Sequence, residues 1–133
     1  MSEPDRSTDE GVALSELQLA LMRLLWRDGE ASVADMATEM ARSRGLAHTT
    51  VATVLTRLAK RGIVEARRDG RQLVYRPCID EAQVRRSMVG DLVQTLFRGD
   101  ARALLAHLVD ESAVGPGDLE RVRALLAGTG RKL

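Results

Sequence analysis

Residues 49–76 read TTVATVLTRLAKRGIVEARRDGRQLVYR. On a helical wheel at about 100° per residue, Val51, Leu55 and Leu58 fall together with Val54 beside them, so residues 49–61 predict a helix with one buried stripe. Opposite that stripe lie Thr49, Thr53, Thr56 and Lys60, flanked by Ala52 and Arg57. Gly62 follows as a C-terminal stop. Two strand-like runs, 63–68 and 72–76, then flank Asp69-Gly70, a dipeptide that favours a two-residue hairpin with both central residues at positive φ. A short helix with a small, hydroxylated outer face thus leads into an arginine-rich hairpin. These parts suit a helix laid in the major groove of double-stranded DNA with a basic wing beside it.

Working outward, Ser15 and Gln18 fit a capping box, Leu14 can staple onto Leu19, and Leu17, Leu21, Leu24 and Leu25 form the core stripe of a first helix. A second helix opens at Ser32, with Asp35 placed to cap its amides and Val33, Met36, Ala37 and Met40 facing inward. The link 30–32 offers one small strand, and 42–48 form a turn around Gly45. Beyond Pro77, Val84, Met88, Leu92 and Leu96 make a broad apolar stripe, widened by Val89, Val93 and Phe97. Asp100 caps a further helix carrying Leu104, Leu105, Leu108 and Val109, and Gly115-Pro116-Gly117 precedes a last one with Leu119, Val122, Leu125 and Leu126.

The expected fold is therefore mainly α: a winged helix-turn-helix DNA-binding domain with a C-terminal three-helix dimerisation domain. The boundaries read as a disordered arm over 1–13, the winged helix over 14–78, the helical domain over 79–127 and a flexible tail over 128–133. The stripe through Val84, Met88, Leu92 and Leu96, continued by Leu104 and Leu108, is wider than one small core needs. It reads as a homodimer surface, the alternative being a self-contained cap on the same chain. Gly90 within it either permits close helix approach or is merely tolerated.

Charge sorts along the chain. Residues 42–76 hold nine cations (Arg42, Arg44, Arg57, Lys60, Arg61, Arg67, Arg68, Arg71 and Arg76) against Glu65 and Asp69, a net +7 in a chain whose total is only +1. Clustering of this kind marks a polyanion-binding face. The predicted contacts are Thr49, Thr50, Thr53, Arg57 and Lys60 on the helix and Arg68 and Arg71 on the wing, with Arg67 also near the hairpin tip. Threonine hydroxyls and methyls can meet base edges, whereas wing arginines clamp phosphates and position without specifying. Four threonines (Thr49, Thr50, Thr53 and Thr56) in one short helix run against helix propensity, which favours a role outside the fold.

Other chemistry is thinly represented. His48 and His107 are far apart, and no GxSxG, HExxH or phosphate-loop pattern occurs, so an enzyme is not expected. Cys78 is the only cysteine. That rules out an intrachain disulfide and a CxxC metal site, and Cys78 reads as a buried filler rather than a redox sensor. Tyr75 reads as core, since one aromatic is too few for a single-strand stacking platform. No cofactor or metal is expected. No apolar run approaches the ~18–20 residues that span a bilayer, and the N-terminus is unlike a signal peptide, so no membrane insertion and a cytoplasmic location are expected. A winged helix used as a protein-interaction module, without specific DNA binding, is the alternative reading.

The runs LSELQLALMRLLW and AHTTVATVLTRLAKRGIVEARRDGRQLVYRP, with the closing helices, resemble the penicillinase/methicillin-resistance repressor family (the BlaI/MecI/CopY type) over roughly residues 14–127. The combination TTVxTVLxRLxKRG with a charged hairpin ending in YxP carries the resemblance. It implies a homodimeric repressor on an inverted repeat with TACA/TGTA-like half-sites, with Thr49, Thr50, Thr53 and Arg57 on the recognition helix and Arg68 and Arg71 on the wing. In β-lactam-responsive members a membrane sensor protease triggers cleavage of an Asn-Phe bond in the dimerisation domain. His107-Leu108 stands at that place here, a departure from the pattern. Copper-responsive members carry a C-terminal CxC…CxC motif that this sequence lacks, so copper sensing through it is not expected.

Overall fold

The computed structural model describes residues 12–128. The described residues form α1 (Glu16–Asp28), β1 (Ala31–Ser32), α2 (Val33–Arg44), α3 (His48–Lys60), β2 (Val64–Asp69), β3 (Gln72–Pro77), α4 (Glu81–Phe97), α5 (Ala101–Asp110) and α6 (Pro116–Gly128). Two compact units divide the chain between Met88 and Val89.

In the first unit, three helices pack on a small antiparallel sheet of order β1-β3-β2. The local signals act as expected for α1. Ser15 Oγ accepts from the Gln18 amide, and Gln18 Oε1 accepts from the Ser15 amide, closing a capping box. Leu21, Met22 and Leu25 are fully buried, whereas Leu17 is only half-buried. For α2 the capping role differs from expectation. The Ser32 hydroxyl accepts from the Asp35 amide at 3.0 Å, so Ser32 is the cap and Asp35 supplies the donor. Met36, Ala37 and Met40 turn inward, and Gly45 ends the helix in the left-handed region that a side chain would disfavour. The α3 stripe of Val51, Leu55 and Leu58 is completely buried, at the centre of the same cluster.

The hairpin is present but its turn is shifted by one residue. Asp69 pairs with Gln72, so the two loop residues are Gly70 and Arg71. Gly70 has φ +64° while Asp69 and Arg71 do not enter the positive region. Glycine at the first loop position matches a type II′ hairpin rather than the I′ turn that Asp-Gly suggests. Tyr75 is buried, as expected of a core residue. The backbone N–H of Cys78 bonds to the Ile63 carbonyl at 2.8 Å, and the Trp26 indole donates to the Ile79 carbonyl at 2.9 Å, fixing the exit from the wing.

Several expectations are corrected here. Val12, assigned to a disordered arm, is buried beside Leu14 in the core cluster; the rest of that arm, residues 1–11, lies outside the described residues. So does the tail expected over 128–133, apart from Gly128, which closes α6. Cys78 is exposed rather than buried, because it follows the last strand residue and its neighbours are Glu65 and Arg76 on the sheet's outer surface. Partial burial and the Glu65 carboxylate both raise its thiol pKa, which disfavours the reactive thiolate. Val84 is only 2% exposed and Met88 is half-buried, and both pack into the core of the first unit. That unit therefore runs past the boundary expected at 78.

The second unit comprises the remainder of α4 with α5 and α6. Asp100 caps α5 by accepting from the amides of Arg102 and Ala103. Phe97 and His107 rings lie 6.2 Å apart, and the Gly115 amide donates to Asp118 at 2.8 Å. No residue of α5 or α6 is buried. Leu92, Leu96, Leu105, Val109, Leu119, Val122 and Leu125 are all exposed, while Leu104 and Leu108 are half-buried.

Candidate nucleic-acid interface

Burying Val51, Leu55 and Leu58 fixes the rotation of α3, so its opposite side faces solvent. Thr49, Thr53, Thr56, Arg57 and Lys60 are exposed there, and Thr50 is half-buried. The threonines are not equivalent. Thr56 Oγ1 donates to the Ala52 carbonyl at 2.9 Å, one turn back, which ties its hydroxyl to the helix itself. Among the described residues the hydroxyls of Thr49 and Thr53 have no such partner. At the start of α3, Ala47 occupies the N-cap position and offers no side-chain hydrogen bond. The first amides of the helix, with the exposed His48 beside them, are therefore left to solvent or an anion.

Strand register sorts the hairpin arginines. Residues directly opposite across an antiparallel pair share a sheet face, and the pairs Arg68↔Leu73, Ala66↔Tyr75 and Val64↔Pro77 put Arg68 on the face whose Val64 and Tyr75 enter the core. Arg67 and Arg76 occupy the other face. The hairpin arginines therefore do not share one face: the sequential pair Arg67-Arg68 must split across the pleat. On the outer face Arg67 binds Glu30 at 2.8 Å and Arg76 pairs with Glu65. These two ion pairs, with Ala66, border a shallow recess over Val74, which is buried yet stands apart from the main core.

Elsewhere in the basic segment, Arg42 lies 3.4 Å from Glu39 and Arg44 binds Glu16 at 2.6 Å. The Arg44 hydrogen bond, then its charge, holds the Glu16 carboxyl below the ordinary glutamate value. Arg61 donates to the Ala13 carbonyl at 3.1 Å. Five of the nine cations are left without an acidic partner among the described residues: Arg57, Lys60, Arg61, Arg68 and Arg71. Arg68 makes only a long 3.4 Å contact to the Arg71 carbonyl. Pairing lowers the charge a residue can offer to a phosphate, so these five carry the uncompensated part of the basic segment. Sequence clustering located the segment but could not separate these five from Arg67 and Arg76.

Three helices, a three-stranded sheet and a basic hairpin following an exposed polar helix define the winged helix-turn-helix class. The penicillinase repressor family profile matches residues 14–128. The transcriptional regulator BlaI of Mycobacterium tuberculosis is 36% identical over 116 residues, covering 86% of this chain and 83% of that one. The methicillin resistance regulatory protein MecI of Mammaliicoccus sciuri is 20% identical over 113 residues, covering 85% and 92%. Among solved structures, the solution structure of the DNA-binding domain of the repressor BlaI superposes with a TM-score of 0.50 at 28% identity, covering 53% of this chain and 85% of that one. The chain belongs to the penicillinase repressor family, and is a DNA-binding transcriptional repressor rather than an enzyme. No helix among the described residues is long and apolar enough to cross a membrane.

Proposed function

We propose that this repressor binds an inverted repeat in duplex DNA as a homodimer, with α3 in the major groove and the wing on the flanking backbone. Thr49, Thr50 and Thr53 meet base edges or nearby phosphates; Arg57, Lys60, Arg68 and Arg71 neutralise phosphates. The observation that carries this reading is the charge sorting. Within residues 42–76, the cations with no acidic partner among the described residues fall on α3, its C-terminal cap Arg61 and the hairpin tip, while the other arginines of the segment are held by Glu16, Glu30, Glu39 and Glu65. A monomer with about five phosphate contacts binds weakly at physiological salt. Pairing two such units on one chain-to-chain dimer multiplies affinity through effective concentration and sets a half-site spacing. The exposed side chains Leu92 and Leu96, with the half-buried Leu104 and Leu108, supply the dimer surface; Val84 and Met88, already packed in their own chain, serve to fix the root of α4.

Fluorescence anisotropy on a duplex carrying paired TACA/TGTA half-sites tests the assignment. Arg71→Ala is expected to weaken binding to all duplexes and to lower the salt slope by about one, and Arg67→Ala to do so less. Thr53→Ala is expected to change base preference at one position of each half-site instead. Wild-type slopes and preferences in both variants would remove the roles given to the wing and to α3. For release from DNA, family membership supports a membrane-linked sensor protease as partner. Incubating the repressor with membranes from induced cells, followed by mass spectrometry of fragments, checks whether any bond is cut.

A further inference from the structure

Among the described residues, Arg67 is the one hairpin arginine whose acidic partner lies outside the hairpin. That partner, Glu30, stands between the end of α1 and β1, and the two side chains meet at 2.8 Å. Strand order puts β3 between them. The pairs Ser32↔Val74 and Arg67↔Val74 set Ser32, Val74 and Arg67 in one row across the sheet, and residues in such a row share a face. Glu30, two residues before Ser32, returns to that face. By the same register it lies level with Arg76, farther from the hairpin tip than Val74. The Arg67 side chain therefore crosses β3 and runs away from Gly70 and Arg71 to reach its carboxylate. Val74, which borders the same recess, is left only 7% exposed.

The other hairpin cations are placed differently. Arg76 pairs with Glu65 directly opposite, within the hairpin itself. Arg68 and Arg71 have no acidic partner among the described residues and stand at the tip. Arg67 adjoins Arg68 in sequence, yet its charge is drawn back to Glu30. The side chains of Glu30 and Arg67 are 48% and 50% exposed, so solvent and salt reach the pair and it is individually weak. A row of phosphates along the wing offers Arg67 a competing anion.

We infer that Glu30 is an internal competitor for the wing: it holds Arg67 away from DNA in the free repressor, and Arg67 exchanges the Glu30 carboxylate for a phosphate when a duplex binds. This rests on the reading that the wing lies on the DNA backbone. The exchange makes the net contribution of Arg67 the difference between two anionic partners, which is smaller than that of the unpaired Arg71. Phosphate contacts carry no sequence information, so Glu30 sets the strength and salt dependence of binding to every duplex and leaves base preference alone. Glu30 is thus a positioning residue that acts through Arg67.

A double-mutant cycle in the full-length chain tests this, with Glu30→Gln, Arg67→Ala and the two combined. Anisotropy is read on a mixed-sequence duplex of about 30 base pairs at about 50 mM salt, then at rising salt. Glu30→Gln is expected to bind about two- to fivefold tighter than wild type, the range that an exposed pair is worth, with the gap closing as salt screens the charges. In the Arg67→Ala background the same substitution is expected to gain little. Equal gains in both backgrounds overturn the inference by reducing it to net charge, and a change in base preference with Glu30→Gln overturns it too. A second readout needs no DNA: the Arg67 Nε–Hε NMR signal is expected to shift on Glu30→Gln, and in wild type to shift on adding the duplex. A signal indifferent to either change overturns the exchange. Arg71→Ala separates the two ways to fail. If it weakens duplex binding while Glu30→Gln leaves affinity unchanged, the wing stays on DNA and only the exchange is lost. If neither substitution alters affinity, the wing reading falls and the exchange falls with it.

Discussion

The two compact units of this chain use the same raw material, leucine- and valine-striped helices, with opposite outcomes. In the first unit every helical stripe meets a surface: Leu21 and Leu25 of α1, Met36 of α2, and Val51, Leu55 and Leu58 of α3 lose essentially all contact with water. In the second, α5 and α6 bury nothing completely, and Leu96 and Leu125 remain 67% and 69% exposed. Large exposed apolar patches on folded proteins commonly serve interaction, the use proposed above for Leu92 and Leu96. Amphipathic periodicity states that a helix has a face to cover. It does not state which chain covers it.

The sharpest way to break this contrast is to truncate one leucine in each unit. Leu55→Ala removes a fully buried side chain and is expected to cost about 2–5 kcal/mol of unfolding free energy, enough to lower the urea midpoint well outside error. Leu125→Ala, made at protein concentrations where the chain is monomeric, is expected to change stability by less than about 0.5 kcal/mol. Similar losses from both substitutions would mean that the second unit is packed as tightly as the first, and the contrast would fail.

A charge placed on each part of α4 sharpens the same point with a different readout. Leu96→Asp is expected to weaken self-association by about tenfold or more in sedimentation equilibrium, since it buries an unpaired carboxylate in a dimer interface, while leaving the circular dichroism of the monomer unchanged. Val84→Asp, about three turns earlier in the same helix, is expected to unfold the winged domain instead. A Leu96→Asp chain that associates as well as wild type would take α4 out of the interface.

Much of the first unit was legible because its signals are local. The capping box at Ser15 and the three-residue apolar stripe of α3 need only neighbours within a turn to be recognised. What sequence reading missed depends on residues distant along the chain. Val12 sits between Gly11 and Ala13, outside any periodic stripe, yet the core has room for it. Val84 and Leu96 belong to one helical stripe and differ only in what lies opposite. The turn at Gly70-Arg71 was displaced because an Asp-Gly pair serves either of two glycine positions in a tight hairpin. The candidate DNA contacts were legible as a class, from clustered cations and improbable threonines. Their ranking was not, because Glu30 lies 37 residues from Arg67 and no one-dimensional pattern joins them.

Ion pairs repeat the contrast on a smaller scale. In the first unit some of them tie separate elements together, as Arg44 of α2 does with Glu16 of α1 and Arg67 of β2 with Glu30. In the second they are local, as between Arg121 and Asp118 within α6 or Arg102 and Asp100 at the start of α5. Glu16 is therefore the group whose titration reports on tertiary structure. Its carboxyl is held below the ordinary glutamate value of 4.5, first by the Arg44 hydrogen bond and then by the Arg44 charge. A carboxylate whose folded value is depressed contributes stability that is in full force above the unfolded value and is lost as pH falls through the folded one. Wild type is accordingly expected to hold a small lead over Glu16→Gln in urea midpoint at neutral pH, kept small by solvent screening of an exposed pair. That lead should shrink below pH 4.5. Arg102→Ala, which opens a local pair in the second unit, is expected to produce no comparable pH-dependent gap. A Glu16 gap that is absent at neutral pH, or that persists undiminished in acid, would show that the α1–α2 bridge contributes nothing through its charge.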